Sequence, residues 1–462
     1  MPSGYQASMR SQPYPVPQRS DGSARYVYLV CAVAAIAGLL FGFDIAVING
    51  AIVFLREQFH LSDVQTELAA SSLLFGCVAG AAVAGWLSDR YGRRLILSLS
   101  ALLFAVSSIG AALPRNFVEF GVARFVGGIA IGVASMLAPL YIAEVSPARI
   151  RGRLVSFNQM AIVSGILLAY LANWLLSFTG SSSWRWMFAI AVIPSLGFFL
   201  GLFFVPESPR WLVEQQRETE ALAVLQNVEG AEYAQCQLDE IRESVRNEAG
   251  TFRDLLAPAM RKPMFLAVSL AILQQITGIN TVLFYGSMIW ERRLGSHNHS
   301  AAIGANVTIG LVNFFATLIA LWLIDRSGRR PLLMVSSGCM AICQLLLGAA
   351  FLLQQPPALL VLSIMLLCVA AFAVGLGPGT WVLMAELFPT RVRGRAMSVA
   401  TVALWIASVV LTATFLSLAR AITITGAFYV YSGMCILTFL LVWRAVPETK
   451  GRTLEEIEQA WQ

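Results

Sequence analysis

The chain has 462 residues, of which 57% are hydrophobic and only 13% charged. A soluble globular protein carries roughly 25% charged residues. A water-soluble fold would therefore need several domains almost bare of polar surface, which excludes it. The net charge of +6 does not point to nucleic acid, because the basic residues fall in short clusters between apolar runs. That pattern orients a chain in a bilayer.

Residues 1–25 are rich in Ser, Pro and Gln and carry no apolar stretch ahead of a cleavage site. They read as a disordered cytoplasmic tail, not a signal peptide. Apolar runs follow at about 27–50, 67–88, 94–113, 117–141, 153–177 and 185–205. Six more lie at 263–290, 301–324, 331–353, 358–388, 396–418 and 424–446. They are too long and continuous for barrel strands, so the expected fold class is an all-α membrane protein with twelve transmembrane helices.

One long polar stretch, Pro206 to Lys262, separates the sixth run from the seventh. Within it Leu238, Ile241 and Val245 recur at helical spacing, which predicts short amphipathic helices. Near the end, Thr453 and Glu456 form a capping-box pattern, with Leu454, Ile457 and Trp461 along one stripe. The expected divisions are 26–205 and 263–446 as six-helix bundles, 206–262 as a cytoplasmic helical linker, and 447–462 as a cytoplasmic tail.

Arginine counts set the orientation. The four short loops after the even-numbered runs two, four, eight and ten carry twelve arginines, whereas the six loops after odd-numbered runs carry six. The richer side, with both termini and the linker, is expected in the cytoplasm. The two halves also repeat each other. DRYGRR (89–94) follows the second run and DRSGRR (325–330) the eighth, while Glu144 with Arg151 is matched by Glu386 with Arg393. Duplication about a membrane-normal axis, giving two pseudo-symmetric bundles, is the simplest account. Topology alone does not require Asp89, Asp325, Glu144 or Glu386. With Arg93, Arg151, Arg329 and Arg393 they are expected to form ion pairs between the halves, a latch made when the cytoplasmic side closes.

Seven cysteines make no CxxC pair and only three histidines occur, so neither a disulfide framework nor a metal site is expected. No nucleophile–base pair or nucleotide loop appears, so an enzyme is not expected, nor a cofactor. Away from the run ends only Asp44 and Arg124 are strongly ionisable. Charges at that depth are costly unless paired or neutralised. Both lie a similar number of residues below the outer ends of their runs, so a pair is geometrically possible. A carboxylate whose cationic partner comes and goes changes its proton affinity, which is the property a proton carrier needs.

Uncharged amides inside the runs should point inward: Gln159, Gln274, Gln275, Asn280 and Asn313. Gly278 allows bending between Gln275 and Asn280. Trp381 follows GLGPGT (375–380), whose Gly and Pro residues should break the tenth helix. Amides and an aromatic face suit a ring with many hydroxyls and apolar C–H faces.

The ordered motifs GFDIAVINGA (42–51), GWLSDRYGRR (85–94), RFVGGIAIG (124–132), PLYIAEVSPARIRG (139–152) and PESPRWL (206–212) continue through the second half. There QQITGIN (274–280), DRSGRR (325–330), WVLMAELFPTRVRG (381–394) and PETKG (447–451) complete the set. The whole resembles the sugar porter family of the major facilitator superfamily from about residue 26 to 461, and within it the bacterial galactose–, arabinose– and xylose–proton symporters. The resemblance implies alternating access around a central monosaccharide site. It assigns the five amides and Trp381 to sugar binding, with Phe41, Tyr285 and Trp405 as wall residues, and adds Glu207 and Glu448 to the cytoplasmic gate. Proton-coupled members carry Asp at the position of Asp44, whereas facilitators commonly have Asn there; Asp44 is expected to carry the proton and Arg124 to modulate it.

Two positions depart from the family pattern. Leu404 stands where Gln or Asn usually precedes the helix 11 Trp, and Ile166 where some members have a second Gln. Both remove hydrogen-bonding capacity and bear on which sugar is taken. The implied partners are a sugar, a proton and the lipid bilayer, in the inner (plasma) membrane, with the chain acting as a monomer. A facilitative uniporter is the first alternative and a non-transporting sugar sensor the second.

Overall fold

The computed structural model describes residues 24–147, 150–247, 254–255, 257–294, 299–353, 356–388 and 390–450. Among these residues every regular element is a helix. The first five crossings are single helices: α1 (Ala24–Gln58), α2 (Asp63–Tyr91), α3 (Arg93–Ala112), α4 (Phe117–Val145) and α5 (Arg151–Leu176). The sixth is split into α6 (Ser183–Ala189) and α7 (Val192–Gly201). The polar stretch forms α8 (Pro209–Glu214), α9 (Glu218–Glu229) and α10 (Ala231–Asn247). The second half holds α11 (Pro258–Ile276), α12 (Ile279–Leu294), α13 (His299–Ser327), α14 (Arg329–Ala350), α15 (Ala358–Val374), α16 (Leu376–Glu386) and α17 (Thr390–Ala445).

Eleven helical runs among the described residues are long and apolar enough to cross a membrane, the last of them 54 residues long. At 1.5 Å per residue that run would reach about 80 Å, over twice the thickness of a bilayer core. It is two crossings. The break falls at Ile422 (φ −122°, ψ 15°) and Thr423 (φ 68°, ψ 161°), which makes twelve crossings in all.

The expected breaks are found. Gly278 takes φ +87° between α11 and α12, and a Cβ there would lie 2.6 Å from the Tyr431 ring. The tenth crossing breaks at Gly375, between α15 and α16. The linker stripe is also observed: Leu238 is buried with Trp211, Leu212, Ala221 and Leu225, and Ile241 and Val245 pack against them. The Thr453–Glu456 capping pattern lies outside the described residues.

One boundary differs. The first run was expected to end near residue 50, yet α1 continues to Gln58. The apolar segment Ala51–Leu55 has no Gly or Pro to stop it, and the chain turns only where Ser62 and Gln65 form a capping box on α2.

Within the first bundle, helices meet backbone to backbone. A Cβ at Gly128 of α4 would lie 1.8 Å from the Leu73 carbonyl of α2, and one at Gly42 of α1 would lie 1.9 Å from the Ile162 carbonyl of α5. Lipid tails are as apolar as leucine, so close van der Waals approach of this kind is what holds such helices together. Gly128→Ala should destabilise the protein by about 1–3 kcal/mol through overpacking. Gly121→Ala, on the same helix with no atom within 4 Å, should be neutral or gain up to about 1 kcal/mol of helix propensity. Thermal unfolding of the two purified variants in detergent measures the contrast.

Candidate functional site

Asp44 and Arg124 meet in the first bundle. Arg124 is wholly buried and Asp44 is 6% exposed. One guanidinium nitrogen donates to Asp44 Oδ1 and the other to the Asp44 backbone carbonyl at 2.9 Å. The Phe188 ring lies under the guanidinium, 5.2 Å from its centroid. Gly127 gives the carboxylate room, since a Cβ there would stand 3.2 Å from Asp44 Oδ2. The equal-depth argument from sequence needs correction. Asp44 lies fourteen residues before the end of α1 at Gln58, while Arg124 lies seven residues after the start of α4 at Phe117. The pair forms although the two residues lie at unequal distances from the outer ends of their helices.

The second bundle carries a chain of amides. Gln274 donates through Nε2 to the carbonyls of Leu376 (2.9 Å) and Gly377 (3.2 Å), at the break of the tenth crossing. Gln275 Nε2 donates to Gln274 Oε1 at 3.2 Å. Asn280 Nδ2 donates to Gln275 Oε1 (2.6 Å) and to Ser408 Oγ of α17 (2.9 Å). Four of the residues picked from sequence are less tightly grouped. Gln159 and Trp381 are half-buried, Asn313 is buried in α13, and Phe41 packs edge-on against Trp405 with centroids 5.6 Å apart. That ring contact joins the two bundles. The Trp405 indole N–H finds no partner. Tyr285 is fully buried, its hydroxyl donating to the Thr412 carbonyl at 2.7 Å and its ring on Phe415, so it packs α12 against α17. Leu404 and Ile166 are both buried.

At the face carrying the arginine-rich loops, one arrangement occurs twice. Arg93 reaches Glu144 at 3.1 Å, and Glu207 accepts from the backbone N–H groups of Arg93 and Arg94 that open α3. Ser208 donates its hydroxyl to Glu144. In the second half Arg329 reaches Glu386 at 3.0 Å, Glu448 accepts from the N–H groups of Arg329 and Arg330 that open α14, and Thr449 donates to Glu386. The carboxylates sit where the helix dipole and unpaired N–H groups favour an anion. Burial pushes the Glu207 carboxyl above its usual range, against the pull of those N–H groups and Arg93.

These ion pairs lie within each half. Among the described residues these pairs reach no charge of the other half, and the latch was expected only when the cytoplasmic side closes. At Gly92 (φ +96°) and Gly328 (φ +86°) a Cβ would collide with Glu207 or Glu448, so glycine there lets each carboxylate seat on its own helix terminus. Asp89 stands 3.3 Å from Arg93, Arg151 is exposed, and Arg393 bonds the Phe388 carbonyl at 3.3 Å. The side chain of Asp325 lies outside the described residues.

The hydrogen bonds that do join the halves cluster at the opposite face. Asn49 of α1 donates to the Leu283 carbonyl of α12 (2.8 Å) and accepts from the Ser287 backbone N–H (2.9 Å) and hydroxyl (2.5 Å). Tyr170 also bonds Leu283, Ser177 bonds Ser300, and buried Glu67 of α2 accepts from the N–H and hydroxyl of Ser417 in α17, both at 2.7 Å. Asp63 pairs with Arg420. Sequence reasoning missed this seal. Asn49, an amide inside the first apolar run, was its one readable signal.

Residues 30–461 match the family described as "Sugar (and other) transporter". The chain belongs to the sugar transporter family. It is 37% identical over 453 residues to the arabinose-proton symporter of Bacillus subtilis, covering 96% of this chain and 97% of that protein. It is 38% identical over 478 residues to the D-xylose-proton symporter of Escherichia coli K12, covering 95% and 96%. Among solved structures, the partially occluded inward open form of the xylose transporter XylE from E. coli superimposes with a TM-score of 0.84 at 35% identity, over 93% of this chain and all of that one. The twelve-helix architecture in two bundles is the major facilitator fold.

Arg93 is 3% exposed, so Arg93→Met strands the Glu144 carboxylate in a buried site. A loss of about 3–5 kcal/mol is expected. The double variant Arg93→Met/Glu144→Met removes both charges and should recover part of it. A thermal-unfolding cycle over the four proteins reads the coupling.

Proposed function

We propose that this sugar transporter is a proton-coupled importer of a neutral monosaccharide, hexose or pentose, working by alternating access. The buried Asp44–Arg124 pair carries the reading. A carboxylate in a membrane interior is ionised while its guanidinium partner is in place and takes a proton when that partner withdraws. Asp44 is therefore the proton carrier and Arg124 the group that tunes it. The amides elsewhere suit an uncharged, hydroxyl-rich solute: Gln275 and Asn280 with Gln159, Asn313 and Gln274, and Phe41, Trp381 and Trp405 as apolar wall. The relatives described as arabinose- and D-xylose-proton symporters support the same solute class.

The arginine-rich face, both termini and the α8–α10 linker lie in the cytoplasm by the positive-inside rule, in the inner membrane. On that orientation the seal made by Asn49, Tyr170 and Glu67 closes the outer side, and the structure is an inward-facing state. The duplicated clusters of Glu144 and Glu386 brace each bundle as a rigid body at the cytoplasmic gate. Both bundles belong to one chain, which supports a working monomer.

Proteoliposomes loaded at alkaline pH and diluted into acid should accumulate D-xylose, L-arabinose or another simple sugar above its external concentration. Asp44→Asn should abolish accumulation while leaving sugar counterflow in place. Uptake that is strictly downhill under every gradient would make the protein a uniporter and remove Asp44 from its role.

A further inference from the structure

The carbonyls of Leu376 and Gly377 can only accept, so they hold both N–H groups of Gln274. The oxygen of Gln274 is thereby turned to Gln275, which must donate to it. That donation turns the Gln275 oxygen to Asn280, which must donate in turn. Ser408 Oγ takes the second N–H of Asn280. The direction of every amide in the chain follows from two backbone carbonyls at a helix break and one serine hydroxyl. Two valences remain. Asn280 Oδ1 accepts nothing among the described residues, and Gln275 Nε2 has one N–H left over. Ser408 is 1% exposed and sits on a different element from the amides, so its hydroxyl closes the chain from α17.

We propose that the site has a fixed hydrogen-bonding sense, an acceptor at Asn280 and a donor at Gln275, and that Ser408 is a positioning residue holding the Asn280 amide in that sense. The proposal rests on the sugar-carrier reading above. A free hydroxyl is both donor and acceptor, so an ordinary sugar satisfies either group. Replacing one hydroxyl by fluorine separates the two roles, because C–F accepts weakly and cannot donate. The hydroxyl facing Gln275 is replaceable by fluorine. The one facing Asn280 is not.

The test uses radiolabelled uptake into proteoliposomes, first of D-xylose, L-arabinose, D-galactose and D-glucose. The sugar that is carried is then competed with its monodeoxy and monofluorodeoxy analogues at each carbon. At one carbon the fluoro analogue should compete within about threefold of the parent while the deoxy analogue is about tenfold weaker. At another carbon both should be weaker by about tenfold or more. Ser408→Ala should raise KM about tenfold with turnover nearly unchanged, and Ser408→Thr, which keeps the hydroxyl, should restore it. The Ala variant should also lose the fluorine penalty at the second carbon, because its Asn280 amide is held from one side only.

Fluoro and deoxy analogues that behave alike at every carbon would overturn the fixed sense. A Ser408→Ala protein with unchanged KM and lowered turnover would overturn the positioning role. The wild-type analogue series decides the first point even where the Ala variant does not fold. If folded wild-type protein carries none of the four sugars, the carrier reading itself fails, a result distinct from either of these.

Discussion

A carboxylate and a guanidinium in the middle of a membrane protein are tolerable only in each other's company. Arg124 has no solvent exposure, and Asp44 supplies it with both a carboxylate and a backbone carbonyl. Moving the two apart leaves an uncompensated buried charge on each side, which on the proposed reading is relieved by a proton on Asp44. Protonation and the placement of α1 against α4 are thus one equilibrium. The position of Asp44 along α1 gives that equilibrium its reach. Phe41, less than one turn before it, touches Trp405 of the second bundle, and Asn49, five residues after it, bonds α12. A change at the carboxylate is delivered to the helix that touches the other half on both sides of it.

The duplicated arginine–glutamate clusters have a different task. Each ties the ends of several helices of one half to its own helix N-terminus, through Glu207 in the first half and Glu448 in the second. Because the same bonds recur within both halves, they are available whichever way the halves are tilted. They keep each bundle stiff, while the bundles are joined by the neutral bonds of Asn49 and Ser177 together with the charged contacts Glu67–Ser417 and Asp63–Arg420. Charge-assisted bonds inside each moving body suit rigid-body rocking.

Much of this was legible in the sequence, and the misses have physical causes. Apolar run length gives the twelve crossings, and Gly278 and GLGPGT mark the two breaks because only such residues relax the helix there. Asp44 and Arg124 stand out because no other charge sits deep in an apolar run. The end of α1 was placed too early because the run was closed near residue 50, although apolar residues continue through Ala51–Leu55 and the chain turns only at the capping box of α2. Acid–base spacing set Glu144 beside Arg151 and Glu386 beside Arg393, whereas the structure pairs Glu144 with Arg93 and Glu386 with Arg329. It could not say whether the pairing was within a half or between halves, since a carboxylate on a glycine-opened helix terminus satisfies either topology on paper. The seal at the opposite face is built from Asn49, Ser287, Tyr170 and Glu67, whose partners are mostly backbone groups on distant helices. Nothing in linear spacing predicts a bond to a carbonyl.

The helix α12 joins these pieces. Its first turn carries Asn280, the open end of the amide chain, and one and two turns on, Leu283 and Ser287 hold the Asn49 amide. Leu283 C=O and Ser287 N–H are four residues apart, the spacing at which they would bond each other in an unbroken turn. Asn49 presents its own amide to both, so the seal is part of the helix's ladder while it is closed and withdraws from it when α1 leaves. A solute that pulls Asn280 inward shifts a stiff segment of about 10 Å whose far end is the seal. On the proposed reading the proton acts on α1 and the solute on α12, and the two helices share the Asn49 contact. Coupling between ion and solute then needs no long pathway, because both bias one hydrogen-bonded junction whose making and breaking separates the two states.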